Sequence, residues 1–227
     1  MDHWGSEIYG TDKAGHHIWV EKVTGIDAVA LLERFDDDAM MRRRAIMMEA
    51  LEIHKGNAIN PVCNEVYKHI YVMDLSGLKF GHFSGGVRRV VQNVIVEMGN
   101  LYPESVCKMF FVNAPLAFRA IWGLVCPWLH QVTKDKTKII GGKSAILAEF
   151  AAAGVELKDI PECWGGQHKG VPIKTMIEGW REDKINGKDS MHKMCGYQGP
   201  SEEELAKKLE LGAKIEEEVT KPVAAAA

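Results

Sequence analysis

The run from Lys108 to Pro115, KMFFVNAP, sets Met109, Phe110, Phe111 and Val112 side by side with no polar residue between them. A strand with one wet face alternates apolar and polar residues. An unbroken apolar run is instead the mark of a strand covered on both faces. Such strands belong to parallel sheets with helices above and below, so the rest of the chain has to supply further strands and the covering helices.

It supplies both. The stretch His16 to Val23, HHIWVEKV, reads as a strand entered through the turn TDKAG, and Val66 to Gly77, VYKHIYVMDLSG, as a second strand closed by turn residues. Asp27 to Phe35 and Asp38 to Lys55 read as helices, with Asp27 and Asp38 as N-caps. Ser84 can cap the next helix, in which Val87, Val90, Val91, Val94, Ile95 and Met98 keep the i, i+3, i+4 spacing of a one-faced helix. Thr137 to Gly142, TKIIGG, is a fourth strand, followed by a helix from Ser144 to Ala152. Ile160 to Gly166, IPECWGG, reads as a last edge strand. Beyond about Gln167 the chain turns polar and turn-rich, and we expect residues 171–227 to be a linker and tail with one short helix in SEEELAKKLEL. The expected fold class is α/β, a mixed and largely parallel sheet.

Composition removes several function classes. A net charge of -3 lacks the basic excess of a general nucleic-acid binder. Five scattered cysteines without a C-x-x-C pair read as reduced thiols in a cytoplasmic setting, neither a disulfide framework nor a zinc site. The nine histidines show no metal-ligand spacing, so no metal is expected. KIIGGKSAI follows a strand as a phosphate-cradling loop does, but that loop needs a glycine where Thr137 stands. GHFSGG fails as a nucleophile elbow because His82 occupies the position of the first glycine. No catalytic constellation survives, and the chain reads as a non-enzyme without a cofactor.

One segment resists these explanations. Between Ala114 and Leu129 the sole charge is Arg119, among Leu116, Phe118, Ile121, Trp122, Leu124, Val125, Trp128 and Leu129, and Lys134, Asp135, Lys136 and Lys138 follow at once. It is too short, and too interrupted by Arg119 and Pro127, for the roughly 20 residues of a membrane span. From the residues alone it is a helix buried between sheet and neighbours.

Six signatures in order offer another reading: D-x-x-G from Asp12, D-L-x-G from Asp74, Y-P-E from Tyr102, N-A-P from Asn113, P-W-L from Pro127 and P-x-x-x-G-G from Pro161. Together they resemble the CRAL-TRIO lipid-binding domain, in the branch of phosphatidylinositol/phosphatidylcholine transfer proteins, over about Thr11 to Gly166. The resemblance implies a sheet that floors an apolar lipid pocket closed by a gate helix. Phe118, Ile121, Trp122, Val125 and Trp128 would then face either bound acyl chains or a bilayer. It also implies that Glu104 and Lys136, with Thr133 beside them, contact an inositol phosphate headgroup.

The implied activity is binding and transfer of phosphatidylinositol or a related phospholipid, with exchange at a transient membrane surface and a peripheral, cytoplasmic location. Phosphatidylcholine-binding members carry small hydroxyl residues where this chain has Leu78, Lys79, Phe80 and Gly81, which counts against choline-lipid binding in the usual geometry. The family's helical lobe before TDKAG is expected to be absent, and LELGAKIEEEVTKPV faintly resembles the start of a GOLD domain. Two alternatives stand beside the phospholipid carrier. One is a protein-interaction module with a vestigial pocket and a partner held through the C-terminal tail. The other is a carrier of a tocopherol- or retinoid-like ligand.

Overall fold

The computed structural model describes residues 5–24, 28–57, 67–79, 83, 85–116 and 118–185. In chain order the elements are β1 Gly5–Thr11, β2 His17–Lys22, α1 Ala28–Arg34, α2 Asp37–Asn57, β3 His69–Asp74, α3 Gly85–Leu101, β4 Val106–Val112, α4 Phe118–Val125, α5 Gln131–Asp135, β5 Thr137–Ile140, α6 Lys143–Ala152, β6 Val171–Pro172 and α7 Ile173–Ile185. The sheet runs β5-β4-β3-β2-β1-β6. Strands β2 to β5 are mutually parallel, and β1 is antiparallel to both β2 and β6. The mixed, largely parallel α/β sheet is therefore as the apolar run at Met109–Val112 demands.

Alternation along the strands divides the core in two. On one face Ile18, Val20, Ile70, Val72, Phe110, Val112 and Ile140 meet Ile146 and Phe150 of α6, with Ile160 and Trp164. On the other, Trp19 and Tyr71 meet Met47, Met48 and Leu51 of α2, Met98 of α3 and Ile173 of α7. This second face continues at its C-terminal end, where Leu75 and Phe111 pack against α4.

Several expectations are corrected. Helix α2 is capped by Asp36 rather than Asp38: the Asp36 carboxylate accepts from Ala39 N at 2.7 Å and its carbonyl from Met40 N at 3.1 Å. The proposed caps Asp27 and Ser84 lie outside the described residues. Strand β1 has no strand signal in the sequence, because GSEIYGT has only Ile8 and Tyr9 as large apolar residues, although both are buried. IPECWGG is no edge strand. It forms a 3-10 turn at Glu162–Trp164, after another at Leu157–Asp159, and touches the sheet pattern in one isolated bridge, Pro161 with His168. The tight turn is obligatory there: Gly165 is left-handed at φ 100°, and a Cβ on Gly166 would lie 2.1 Å from the Ile160 carbonyl oxygen.

The stretch just beyond Gly170 is folded rather than linker. Val171 and Pro172 pair with Ile8 and Glu7 of β1, and α7 seats Ile173, Met176 and Ile177 on the methionine-rich face. Their i, i+3, i+4 spacing is that of a one-faced helix. The helix expected in SEEELAKKLEL and the GOLD-like segment lie outside the described residues.

Candidate functional site

In a parallel sheet, the residues that precede successive strands share one edge. Lys68 precedes β3, Glu104 precedes β4 by two residues and Lys136 directly precedes β5. The Lys136 ammonium donates to Glu104 Oε2 at 2.7 Å and to the Val106 carbonyl at 3.2 Å, and Lys68 Nζ lies 3.9 Å from the same Glu104 oxygen. Glu104 holds a left-handed backbone, φ 59°, in the turn from α3 into β4. The Lys136 hydrogen bond, then its charge and that of Lys68, hold the Glu104 carboxyl below the ordinary carboxylate value. The structure thus brings Glu104 and Lys136 together as a bonded pair. Thr133 stands three residues earlier on α5, and its carbonyl accepts the Thr137 hydroxyl at 2.6 Å. Lys68 was missed from the sequence. Its position just before a strand was the available signal.

At the far end of the same face, α4 is shorter than the apolar segment that contains it. It runs Phe118–Val125, and Pro127 turns Cys126–Trp128 into a 3-10 continuation. Phe118, Ile121 and Val125 are buried against Leu75 and Phe111, while Trp122 and Trp128 pack at the margin of that cluster. The Phe111 and Trp122 rings meet edge-on at 5.2 Å. Outside, Leu116 is 85% and Leu124 38% exposed. Phe118, Ile121, Trp122 and Val125 of α4, with Trp128 of the following turn, therefore face the protein, while Leu116 and Leu124 face solvent.

Between these ends, the face is lined by methionines: Met47, Met48 and Met98, with Met41, Met73, Met109 and Met176 around them. Unbranched thioethers fill irregular space and repack easily. Set in this apolar floor is a polar group that sequence reasoning also missed. Arg44 Nη1 donates to Glu21 Oε1 at 2.6 Å, the Tyr71 hydroxyl donates to Glu21 Oε2, and the guanidinium stacks 4.5 Å over Trp19. Glu21 is 1% exposed. Burial, followed by the Glu21 charge, raises the Tyr71 hydroxyl well above its usual value, so Tyr71 stays a donor. On the opposite face, a shallow cleft of about 380 Å³ lies between β5 and α6, lined by Lys138, Ile140, Ala145 and Glu149 among others.

The signature motifs are chiefly scaffolding. Asp74 of D-L-x-G accepts from Ser76 N, the Ser76 hydroxyl and Asn113 Nδ2 on one oxygen and from Trp164 Nε1 on the other. Three motifs distant in sequence thus converge on one carboxylate. Asp12 of D-x-x-G similarly accepts from Ala14 N, His16 N and His16 Nδ1, folding the β1–β2 turn. Among the described residues, no group of three or more His, Cys, Asp or Glu is placed to hold a metal ion, and no helix is long and apolar enough to cross a membrane.

The CRAL/TRIO domain profile matches residues 4–166. The chain belongs to the CRAL/TRIO domain family. It is similar to the phosphatidylinositol/phosphatidylcholine transfer protein SFH7 of Arabidopsis thaliana, 26% identical over 194 residues that cover 82% of this chain and 34% of that protein. It is also similar to the SEC14 cytosolic factor of Yarrowia lipolytica, 24% identical over 197 residues, 82% of this chain and 38% of that one. The chain therefore spans about a third of the length of these relatives. The solved structure of Sfh5 superposes with a TM-score of 0.47 at 16% identity, over 61% of this chain and 48% of that one.

Proposed function

We propose that this chain binds and transfers a phospholipid, phosphatidylinositol or a close relative, without covalent chemistry. Membership of the CRAL/TRIO family and likeness to proteins named for phospholipid transfer support the lipid-binding part. The observation that carries the reading is the polarity of one sheet face. A methionine-rich surface lies between the Lys136–Glu104 pair at the N-terminal edge and the apolar helix α4 at the C-terminal end. Lys136 offers a point charge to a phosphate, and Glu104 accepts hydrogen bonds from the hydroxyls of an inositol ring. Acyl chains take the methionine surface, displacing side chains that repack at little cost.

Energetics set how exchange occurs. A two-chain phospholipid hides about 30 methylene groups at about 0.8 kcal/mol each, roughly 25 kcal/mol gross. Escape into water is too slow to be useful, whereas pocket and bilayer compete on nearly equal apolar terms. Exchange therefore takes place on a membrane, with α4 swinging as a gate and Leu116 and Leu124 entering the interface. Mass spectrometry of lipid extracted from the purified chain after incubation with mixed vesicles tests the reading. Stoichiometric phosphatidylinositol is the expected result. A tocopherol or retinoid in its place discards the headgroup assignment, and a folded protein that takes up no lipid overturns the carrier reading in favour of a protein-interaction module.

A further inference from the structure

A second constellation occupies the same edge of the sheet, buried where the charged pair is open. His17 opens β2 and His69 opens β3, and the two are partners in the parallel register. His54, in the last turn of α2, sets its ring 4.5 Å from that of His17, edge to face. Its neighbour Lys55 is 3% exposed and donates to the Tyr67 carbonyl at 2.6 Å and to Glu52 Oε1. Tyr67 precedes Lys68, so this cluster is joined through the chain to the Lys68–Glu104–Lys136 group. Neighbouring strands lie about 4.8 Å apart, which puts His69 on β3 within roughly one or two strand spacings of Glu104 and Lys136.

Each of the three histidines has a ring nitrogen without a well-formed hydrogen bond, although the Tyr9 backbone on β1 acts on His17 in favour of its protonated form. His17 Nδ1 and Nε2, His54 Nδ1 and His69 Nδ1 are all buried without a hydrogen bond. His17 is 9% exposed and His69 1%. Buried polar atoms of folded proteins are nearly always paired, so four such atoms in one place call for a ligand or ordered water. The carboxylates on this edge are already engaged: Asp12 with His16, Glu52 with Lys55 and Glu104 with both Lys136 and Lys68. Burial, with His54 and then Lys55, pulls His17 down to about 4, and burial holds His69 well below its usual value. The rings are therefore neutral while nothing anionic is present, and an anion would favour their protonated, doubly donating form.

We infer that His17, His54 and His69, backed by Lys55, form a second anion site that receives a phosphate monoester. The inference rests on the carrier reading above and narrows it. A headgroup whose phosphodiester meets Lys136 carries a further phosphate on its ring, and that phosphate reaches the histidines. Among the described residues the last turn of α2 lies over His17, and because His54 and Lys55 are carried on that turn, entry widens the gap between the turn and the strand ends and leaves both side chains at its rim. The same chemistry is offered by a phosphorylated inositol lipid and by a soluble inositol phosphate.

The test compares the full chain on phosphatidylcholine vesicles carrying either phosphatidylinositol or its ring monophosphate. The expected result is at least tenfold tighter binding of the monophosphate, with His17→Gln and His69→Gln each bringing the ratio to within about twofold. Histidine titration by NMR on the unmutated chain, with and without the lipid, keeps the question open to refutation if a variant fails to fold. The His17 and His69 midpoints rise by at least one pH unit when the site is filled. Equal affinities with unmoved histidines overturn the inference and leave phosphatidylinositol binding intact. If neither lipid binds, the carrier reading has failed. Titration with a soluble inositol phosphate then decides the anion site alone, a shift supporting it and no shift ending it.

Discussion

Trp164 Nε1 donates to Asp74 Oδ2 at 3.2 Å, although the two residues lie 90 positions apart. Trp164 belongs to the turn after α6 and Asp74 ends β3, so the bond fastens the covering layer of one face to the end of a central strand. The other Asp74 oxygen accepts from Ser76 and from Asn113 Nδ2 at 3.0 Å. Asp74→Ala strands a buried indole N–H and frees two turns at once. We expect a loss of about 3 kcal/mol, seen as a lower urea midpoint and a melting temperature down by roughly 6–12 °C. A change within error would mean that these motifs are held by something other than Asp74.

Lys136 is a headgroup contact under the proposed function, and its pairing with Glu104 is half-exposed. Lys136→Ala should therefore leave the melting temperature nearly unchanged and reduce phosphatidylinositol transfer between vesicles about tenfold or more, the scale of a lost charge-assisted hydrogen bond. Lys136→Arg should recover part of it. Unaltered transfer in the alanine variant would remove Lys136 from the site and favour a ligand without a phosphate.

The two sides of α4 separate stability from the membrane contact proposed above. Ile121 is 3% exposed and Leu124 38%. Ile121→Ala should cost about 2–4 kcal/mol in thermal or urea unfolding. Leu124→Glu leaves stability within about 0.5 kcal/mol but lowers co-sedimentation with vesicles and slows transfer. If Leu124→Glu transfers lipid at the normal rate, α4 does not meet the membrane through that side.

Much of this fold was legible because its central strands announce themselves. Met109–Val112 has no polar residue, so a parallel sheet with two covered faces follows from local sequence, and the helix period at Val87–Met98 locates α3. Strand β1 and helix α7 were not legible, because their burial comes from partners elsewhere. Ile8 is buried in one cluster with its cross-strand partner Trp19 and with Ile173 of α7, which is brought there when β6 pairs with β1. The same holds for the site. Glu104 and Lys136 were reached through family signatures, but their bond, and Lys68 beside it, depend on three loops meeting at one sheet edge. His17 and His69 look like unrelated histidines until the register of β2 and β3 makes them neighbours.

Arg44 and Glu21 test how much the apolar face tolerates. Their bond is 2.6 Å with side-chain exposures of 16% and 2%. Arg44→Met leaves the Glu21 carboxylate buried with only Tyr71 as donor, and we expect about 3–5 kcal/mol of destabilisation. Adding Glu21→Gln to that variant should restore at least half, because the uncompensated charge is gone. The measurement is equilibrium urea unfolding of the single and double variants. A double variant no more stable than Arg44→Met would show that packing of the guanidinium on Trp19, rather than charge, holds this region.

The histidine cluster makes stability depend on pH in a definite direction. His17 titrates at about 4 in the fold, against an ordinary value of 6.5, chiefly through burial, then through His54 and Lys55. The titratable groups facing it are His54 and Lys55 on α2 and His69 on β3, all basic, and the Tyr9 backbone on β1 is the smallest influence and opposes them. Between those two values the unfolded chain binds the proton and the folded chain does not, so stability increases with pH across that window. It is complete above about pH 6.5 and lost progressively as pH falls towards 4, by up to about 3 kcal/mol for His17 alone. Thermal melts at pH 7.5, 6, 5 and 4.5 should show a fall that flattens in His17→Gln, which cannot be protonated. A fall of equal size in the variant would assign the acid sensitivity to carboxylates instead. No fall in the unmutated chain down to pH 5 would mean that His17 is open to water.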